Sequence, residues 1–239
     1  MLAPFWFALQ FLTRLPTPRL GVIEPQIIGR SAVAYPLVGV VIGGLSSIPL
    51  LLFADSHALL QAALVLVVWV LTTGGLHLDG LADSADAWLG GEGDPQRSLE
   101  IMKDPRAGSA AIVLVVLVLV AIVEQGGWLA IVLVPALGRA SVVALLLTTP
   151  YVRPGGLGET LVAHLPRHYC LWAVVVTGVL FLLGGGAGVQ ALVFGVLVAW
   201  GVRRLMQSRI AGTTGDTAGA LLELTEAAAI VGWGLALWR

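Results

Sequence analysis

The chain has 239 residues, of which 58% are hydrophobic and only 11% charged, and its mean hydropathy is +0.94. A soluble domain is about 25% charged, so this balance excludes a soluble enzyme and a disordered protein and leaves a polytopic membrane protein. A net charge of −1 offers no basic surface to nucleic acid, and the single cysteine, Cys170, allows neither an internal disulfide nor a cysteine-based zinc site.

The first twelve residues read as an apolar lead-in at the membrane face, without the basic region or cleavage site of a signal peptide. Charge-free stretches then follow at 31–54, 56–78 and 107–123. An apolar stretch at 128–149 carries Arg139 near its middle. The 34 uncharged residues of 169–202 are too many for one span of about 20, and Gly184, Gly185 and Gly186 divide them. A last span over 218–238 takes in Glu223 and Glu226. The expected fold is all-α: one integral-membrane domain over 1–239, with about six to seven transmembrane helices and a cytoplasmic acidic segment at 79–106.

Charge asymmetry orients these spans. With the N-terminus inside, the inner segments hold Arg14, Arg19, Arg30, Arg97, Lys103, Arg106, Arg153, Arg167, Arg203, Arg204 and Arg209, eleven of the thirteen basic residues. The outer loops hold only Asp55 and Glu124. This is the positive-inside bias of a multi-pass membrane protein. Arg203 and Arg204 read as topology signals.

Segment 79–106 contains seven acids and three bases. Asp79, Asp83 and Asp86 stand at i, i+4 and i+7, within about 60° of arc on one helix face. Three like charges so placed repel one another. The cluster is either a solvated helix end or a site for a hard cation, Mg²⁺ or Mn²⁺. Gly93, Asp94 and Pro95 form a turn. Beyond it Arg97, Glu100, Lys103 and Asp104 share a face of a helix expected to end at Pro105. They form either a salt-bridged surface helix or a phosphate clamp of Arg97, Lys103 and Arg106, with Glu100 or Asp104 as metal ligand or base.

In 211–226, Gly212, Gly215 and Gly219 line one side and permit close helix contact. Asp216, Glu223 and Glu226 occupy another face. Ionisable groups in or near a span are costly and mark function or a buried polar contact. Arg139 is either the counter-charge to one of these acids or a phosphate ligand.

The stretch Gly75-Leu76-His77-Leu78-Asp79-Gly80-Leu81-Ala82-Asp83-Ser84-Ala85-Asp86, followed by Leu99-Glu100-Ile101-Met102-Lys103-Asp104, resembles the cobalamin synthase family, the adenosylcobinamide-GDP ribazoletransferases. Supporting matches are Phe11-Leu12-Thr13-Arg14-Leu15-Pro16, Tyr35-Pro36-Leu37-Val38-Gly39, Gly138-Arg139-Ala140, Tyr151-Val152-Arg153-Pro154-Gly155-Gly156-Leu157-Gly158 and Thr214-Gly215-Asp216-Thr217-Ala218-Gly219-Ala220. The chain departs from the family pattern just after Asp104, where Pro105, Ala107 and Gly108 stand.

The resemblance implies transfer of adenosylcobinamide phosphate from adenosylcobinamide-GDP to α-ribazole or its 5′-phosphate, with release of GMP. It implies a requirement for Mg²⁺ and a bacterial inner-membrane location. Asp79, Asp83 and Asp86 would hold the metal. Glu100, Asp104 or Asp216 would take the proton of the ribazole hydroxyl. Arg97, Lys103, Arg106, Arg139, Arg153, Glu223 and Glu226 are the further substrate-site candidates. The expected partners are these small molecules and the lipid bilayer, with a homo-oligomer or a complex with other corrinoid enzymes left open. Three other readings stay open. A CDP-alcohol phosphotransferase is disfavoured by Asp83, where that motif carries Arg. A prenyltransferase is disfavoured by the lack of a second aspartate motif. An ion-coupled transporter is disfavoured by the lack of an internal repeat.

Overall fold

The computed structural model describes residues 2–104, 106, 108, 112 and 127–237. The span expected over 107–123 therefore lies almost wholly outside the described residues. In chain order the helices are α1 (Ala3–Leu12), α2 (Pro25–Ser31), α3 (Tyr35–Ser46), α4 (Ile48–Leu52), α5 (Ala58–Thr73), α6 (Leu76–Gly90), α7 (Pro95–Ile101), α8 (Trp128–Thr148), α9 (Leu157–Ala163), α10 (Arg167–Leu180), α11 (Gly185–Ile210) and α12 (Gly215–Leu237). Among the described residues there is no strand, only an isolated bridge between Tyr151 and Thr213. The all-helical expectation is met.

Four helical stretches are long and apolar enough to cross a membrane, Pro25–Leu52, Trp128–Thr148, Arg167–Ile210 and Gly215–Leu237, with the bent pair of α5 and α6 as a fifth. Arg167–Ile210 covers 44 residues. A straight helix of that length would run about 66 Å, twice the hydrocarbon thickness. It doubles back instead. Arg167 donates to the Leu147 carbonyl at 2.6 Å and Arg203 to the Thr148 carbonyl at 2.7 Å, so both ends lie at the same level. The reversal falls at a 3₁₀ turn, Phe181–Gly184, followed by Gly185 at φ +58°. With this hairpin counted as two spans and the bent pair as one, the described residues supply six.

Outward faces of α10 and α11 are apolar and exposed, among them Leu171, Val175, Val179, Val193, Val196 and Leu197. Lipid covers such surface in place of protein. Helices α8 and α12 are buried on most sides and form the centre, as expected of helices apolar all round. Pro135 lies inside α8. Glycines set the closest crossing there: a Cβ at Gly39 would lie 2.4 Å from the Pro135 carbonyl oxygen, and one at Gly43 2.4 Å from that of Ile131. Cys170 is fully buried, in keeping with a packing role. Arg203 does more than mark topology. It donates to the Thr149 hydroxyl at 2.9 Å and fastens α11 to the end of α8.

One expected boundary moves. The stretch 56–78 is not one helix, because Gly74 and Gly75 both adopt left-handed backbone (φ +64° and +71°). They turn α6 by 88° away from α5. His77 thus belongs, with Asp79, to the acidic helix α6 and not to α5.

Candidate functional site

Helix α6 packs along α12, and their contact places the acids. A Cβ at Gly80 would meet the Asp216 carbonyl oxygen at 2.7 Å, and one at Gly219 the His77 carbonyl oxygen at 3.2 Å. The small residues predicted around 215 serve this contact only in part: nothing lies within 4 Å of a Cβ at Gly215, and Gly212 sits in the preceding turn against the Pro150 carbonyl.

Thr214 and Thr217 start α12. The Thr214 N–H donates to the Thr217 hydroxyl at 2.8 Å, and the Thr217 N–H to the Thr214 hydroxyl at 3.3 Å. This reciprocal cap fixes the first turn, which carries Asp216. The segment before α9 is tied alongside: the Val152 N–H donates to the Thr213 carbonyl at 2.9 Å, and the Thr213 N–H to the Pro150 carbonyl at 2.8 Å. Gly155 (φ +76°) turns the chain, and Gly158 lies under the Tyr151 ring, where a Cβ would come within 2.4 Å. Arg153 is thereby aimed at Asp216, and the two form an ion pair at 3.0 Å. Burial raises the Tyr151 phenol above its ordinary pKa, so it stays neutral and able to donate.

A cleft of about 330 Å³ opens between these elements. Its charged lining residues are Asp79, Arg139, Arg153 and Asp216, with His77 and Tyr151 beside them. Four of the sequence candidates therefore share one cavity. Arg97, Glu100, Lys103, Asp104, Arg106, Asp83, Asp86, Glu223 and Glu226 do not line it.

Helix α7 ends at Ile101, three residues before the expected helix would reach Asp104. The one-face argument for Lys103 and Asp104 fails there. Asp94 caps α7 through its carboxylate, as the Gly-Asp-Pro turn suggested. Arg97 pairs with Glu92 at 3.1 Å, both exposed. Arg106 grips Asp104 through its side chain (2.7 and 3.0 Å) and its backbone N–H (3.0 Å). Those hydrogen bonds hold the Asp104 carboxyl down to about 2. A carboxylate so acidic is a weak base at neutral pH. Met102, buried against the Thr214 hydroxyl at 3.9 Å, anchors this segment beside the start of α12.

Asp79, Asp83 and Asp86 do share a face of α6, and Asp83 lies within electrostatic reach of Asp79, Asp86 and Asp216. Asp86 accepts a 2.6 Å hydrogen bond from the Gly108 N–H. Among the described residues, no three His, Cys, Asp or Glu side chains converge closely enough to hold a metal ion as they stand. The donor chemistry fits a hard divalent cation. Residues at i and i+4 have Cβ atoms about 5–6 Å apart, so Asp79 and Asp83 are within reach of one cation by side-chain rotation.

Behind the cleft, Arg139 and Glu226 form a fully buried ion pair. The Arg139 guanidinium also lies 3.5 Å from His77 Nδ1, and Glu223 is within its electrostatic reach. Gly138 makes room for the Glu226 carboxylate, which a Cβ there would strike. Of the two readings of Arg139, the counter-charge role is the one the structure realises. His77, Tyr35 and Tyr151 are cleft residues that no spacing argument selected. Each lies inside a motif quoted above, and that is the only signal of them in the sequence.

Fold and cleft together define a polytopic helical membrane protein whose polar site lies where two central helices meet a capped loop. A family model described as cobalamin-5-phosphate synthase matches residues 4–234. The chain is 51% identical to the adenosylcobinamide-GDP ribazoletransferase of Pseudomonas putida (strain W619), over 98% of this chain and 99% of that protein. It is 52% identical to that of Pseudomonas fluorescens (strain SBW25), over 97% and 99%. It is 49% identical to that of Stutzerimonas stutzeri (strain A1501), over 99% of both. No solved structure matches. The chain belongs to the cobalamin-5-phosphate synthase family.

Proposed function

We propose that this protein transfers the adenosylcobinamide-phosphate group of adenosylcobinamide-GDP to a secondary ribose hydroxyl of α-ribazole, or of α-ribazole 5′-phosphate, whose 5′-oxygen is already esterified, releasing GMP. The observation that carries this reading is the Arg153–Asp216 pair facing Asp79 across one cleft, in a chain of this family. The acceptor oxygen bonds to the cobinamide-linked phosphorus, the bond from that phosphorus to the bridging oxygen breaks, and GMP leaves with the electron pair. Arg153 steadies the anionic diphosphate, exchanging its bond to Asp216 for bonds to phosphate oxygens. Asp216, released from Arg153, accepts the proton of the attacking ribose hydroxyl. Tyr151, kept neutral, donates a hydrogen bond at the same rim.

Asp79, Asp83 and Asp86 are the residues we assign to Mg²⁺. When bound, the ion would supply charge neutralisation for the diphosphate and the leaving group. We further propose an inner-membrane location with the N-terminus and 79–106 cytoplasmic, supported by the distribution of basic residues. The test is reconstitution of the pure protein in liposomes with adenosylcobinamide-GDP, α-ribazole and Mg²⁺, with GMP and cobalamin followed by mass spectrometry. Product that disappears with EDTA and returns with Mg²⁺ is expected. Folded protein that yields no product from either ribazole form would sink the reading.

A further inference from the structure

The charged rim is only one side of the cleft. Leu12, Tyr35, Leu146, Leu161 and Leu222 line the rest and are all buried. Phe11 joins them, stacked on Tyr35 with ring centroids 6.4 Å apart at 28°. Asp79, Arg153 and Asp216 stay partly exposed at the rim. His77, Thr214 and Arg139 are the polar exceptions among the buried lining groups, and Glu226 answers the charge of Arg139.

From this division we infer that the chamber is the acceptor subsite: it takes the α-ribazole base inward against Tyr35 and Leu161, holds the ribose at the rim, and excludes the corrinoid donor. The inference rests on the function proposed above and assigns its two substrates to different sides of one rim.

Size is the first argument. A volume of about 330 Å³ is at the low end of small-molecule pockets. A nucleoside matches it, whereas a corrin ring bearing an adenosyl ligand and a GDP does not. The donor must therefore present its diphosphate from outside, across Asp79, Arg153 and Asp216.

Polarity is the second. A dimethylbenzimidazole base has methyl groups and no exocyclic amine or carbonyl, so it enters apolar walls without stranding polar atoms. Guanine carries an exocyclic amine and a ring N–H, donors for which these walls offer little but other donors. The third argument is hydrogen bonding. The Tyr35 hydroxyl, which approaches Ser31 without a well-formed bond, and Arg139 Nε are both buried and unpartnered. Both can donate. Once ribose occupies one ring nitrogen of the base, the other nitrogen is a lone acceptor of matching kind. With the base inward, the ribose and its acceptor hydroxyl come out at the rim beside Asp216.

Equilibrium binding of radiolabelled α-ribazole to the detergent-solubilised full chain tests this directly, without turnover. Wild-type protein should bind about one α-ribazole per chain. Tyr35→Phe, which deletes only the hydroxyl, should weaken that binding about fivefold. Leu161→Trp, which fills the chamber, should weaken it at least about tenfold. Binding of adenosylcobinamide-GDP should stay within about twofold in both variants. The inference is overturned if wild type shows no saturable α-ribazole binding, if Tyr35→Phe binds it as wild type does, if guanosine displaces it, or if donor binding falls in parallel. Should wild type bind α-ribazole as described yet form no cobalamin, the transfer reaction fails while the subsite stands.

Discussion

Gly80 and Asp216 touch backbone to backbone: a Cβ added at residue 80 would lie 2.7 Å from the Asp216 carbonyl oxygen. This crossing puts Asp79 and Asp216 on one cleft, since each sits on or beside the contact. Gly80→Ala must push α6 and α12 apart. Overpacking of this kind costs about 1–3 kcal/mol, and catalytic groups misplaced by about 1 Å lose about a hundredfold in rate. The expected result is a modest fall in thermal midpoint in detergent with a large fall in turnover. A variant with wild-type turnover would show that the crossing does not set the site.

Much of this arrangement was legible in the sequence, for physical reasons that also mark its limits. Charge-free runs gave the spans because lipid admits little else. The i, i+4, i+7 spacing of Asp79, Asp83 and Asp86 gave their common face. The bend at Gly74 and Gly75 was missed although Gly-Gly is a turn signal, because the apolar run continues through it and its length suited a single span. The glycine pair of the α3–α8 contact was not legible either: Gly39 and Gly43 carry it, whereas of Gly215 and Gly219 only Gly219 meets a neighbouring helix. The partners of Arg139 and Arg153 were open for a related reason, since pairing between distant segments leaves no local pattern.

Arg153 and Arg97 were equal candidates by charge. Only Arg153 lines the cleft, while Arg97 is held by Glu92 on the surface. A charge-assisted hydrogen bond is worth about 1.5–3 kcal/mol. Arg153→Ala should therefore raise the KM for adenosylcobinamide-GDP by at least about tenfold. Arg97→Ala should change it by less than about twofold, as befits a surface pair. Steady-state kinetics on both variants decide the matter, and equal effects would mean that α7 reaches the substrate.

Asp104 offers a pH test of the base assignment. Its carboxyl is held at about 2 by Arg106. A depressed folded pKa means that this interaction is fully present above the unfolded carboxylate range and is lost as pH falls through about 2. The acid limb of a turnover profile near neutrality cannot then report Asp104. Arg106→Ala frees the carboxyl to rise toward its ordinary value. If Asp216 is the base, the acid limb of kcat is the same in Arg106→Ala and wild type. A limb displaced by that substitution would transfer the role to Asp104.

The acidic face gives a graded expectation. Asp79 lines the cleft and Asp83 neighbours it, whereas Asp86 is hydrogen-bonded by the Gly108 N–H. Asn substitutions keep the volume and remove the charge a cation needs. Asp79→Asn, Asp83→Asn and Asp86→Asn should each abolish most turnover and keep a wild-type thermal midpoint, except that Asp86→Asn should also lower the midpoint by weakening its loop contact. Raising Mg²⁺ should partly restore activity in a variant that has only lost affinity for the ion. Near-normal turnover in all three would remove the metal-site proposal.

Arg139 has two acids in reach and each acid has one arginine, so the cluster should respond unequally to its parts. Removing one partner of a buried pair costs about 3–5 kcal/mol, because the other charge is left without compensation. Glu226→Gln leaves Arg139 with Glu223 nearby. Arg139→Met leaves Glu223 and Glu226, both buried, with no cation between them. Arg139→Met should therefore be the more destabilising, and Arg139→Met with Glu226→Leu should recover part of the loss by removing one stranded acid. Thermal unfolding of the three variants in one detergent orders them. If Glu226→Gln proved the worst, Glu226 would be holding something beyond Arg139, and Trp69, whose side chain approaches its carboxylate, would be the next residue to change.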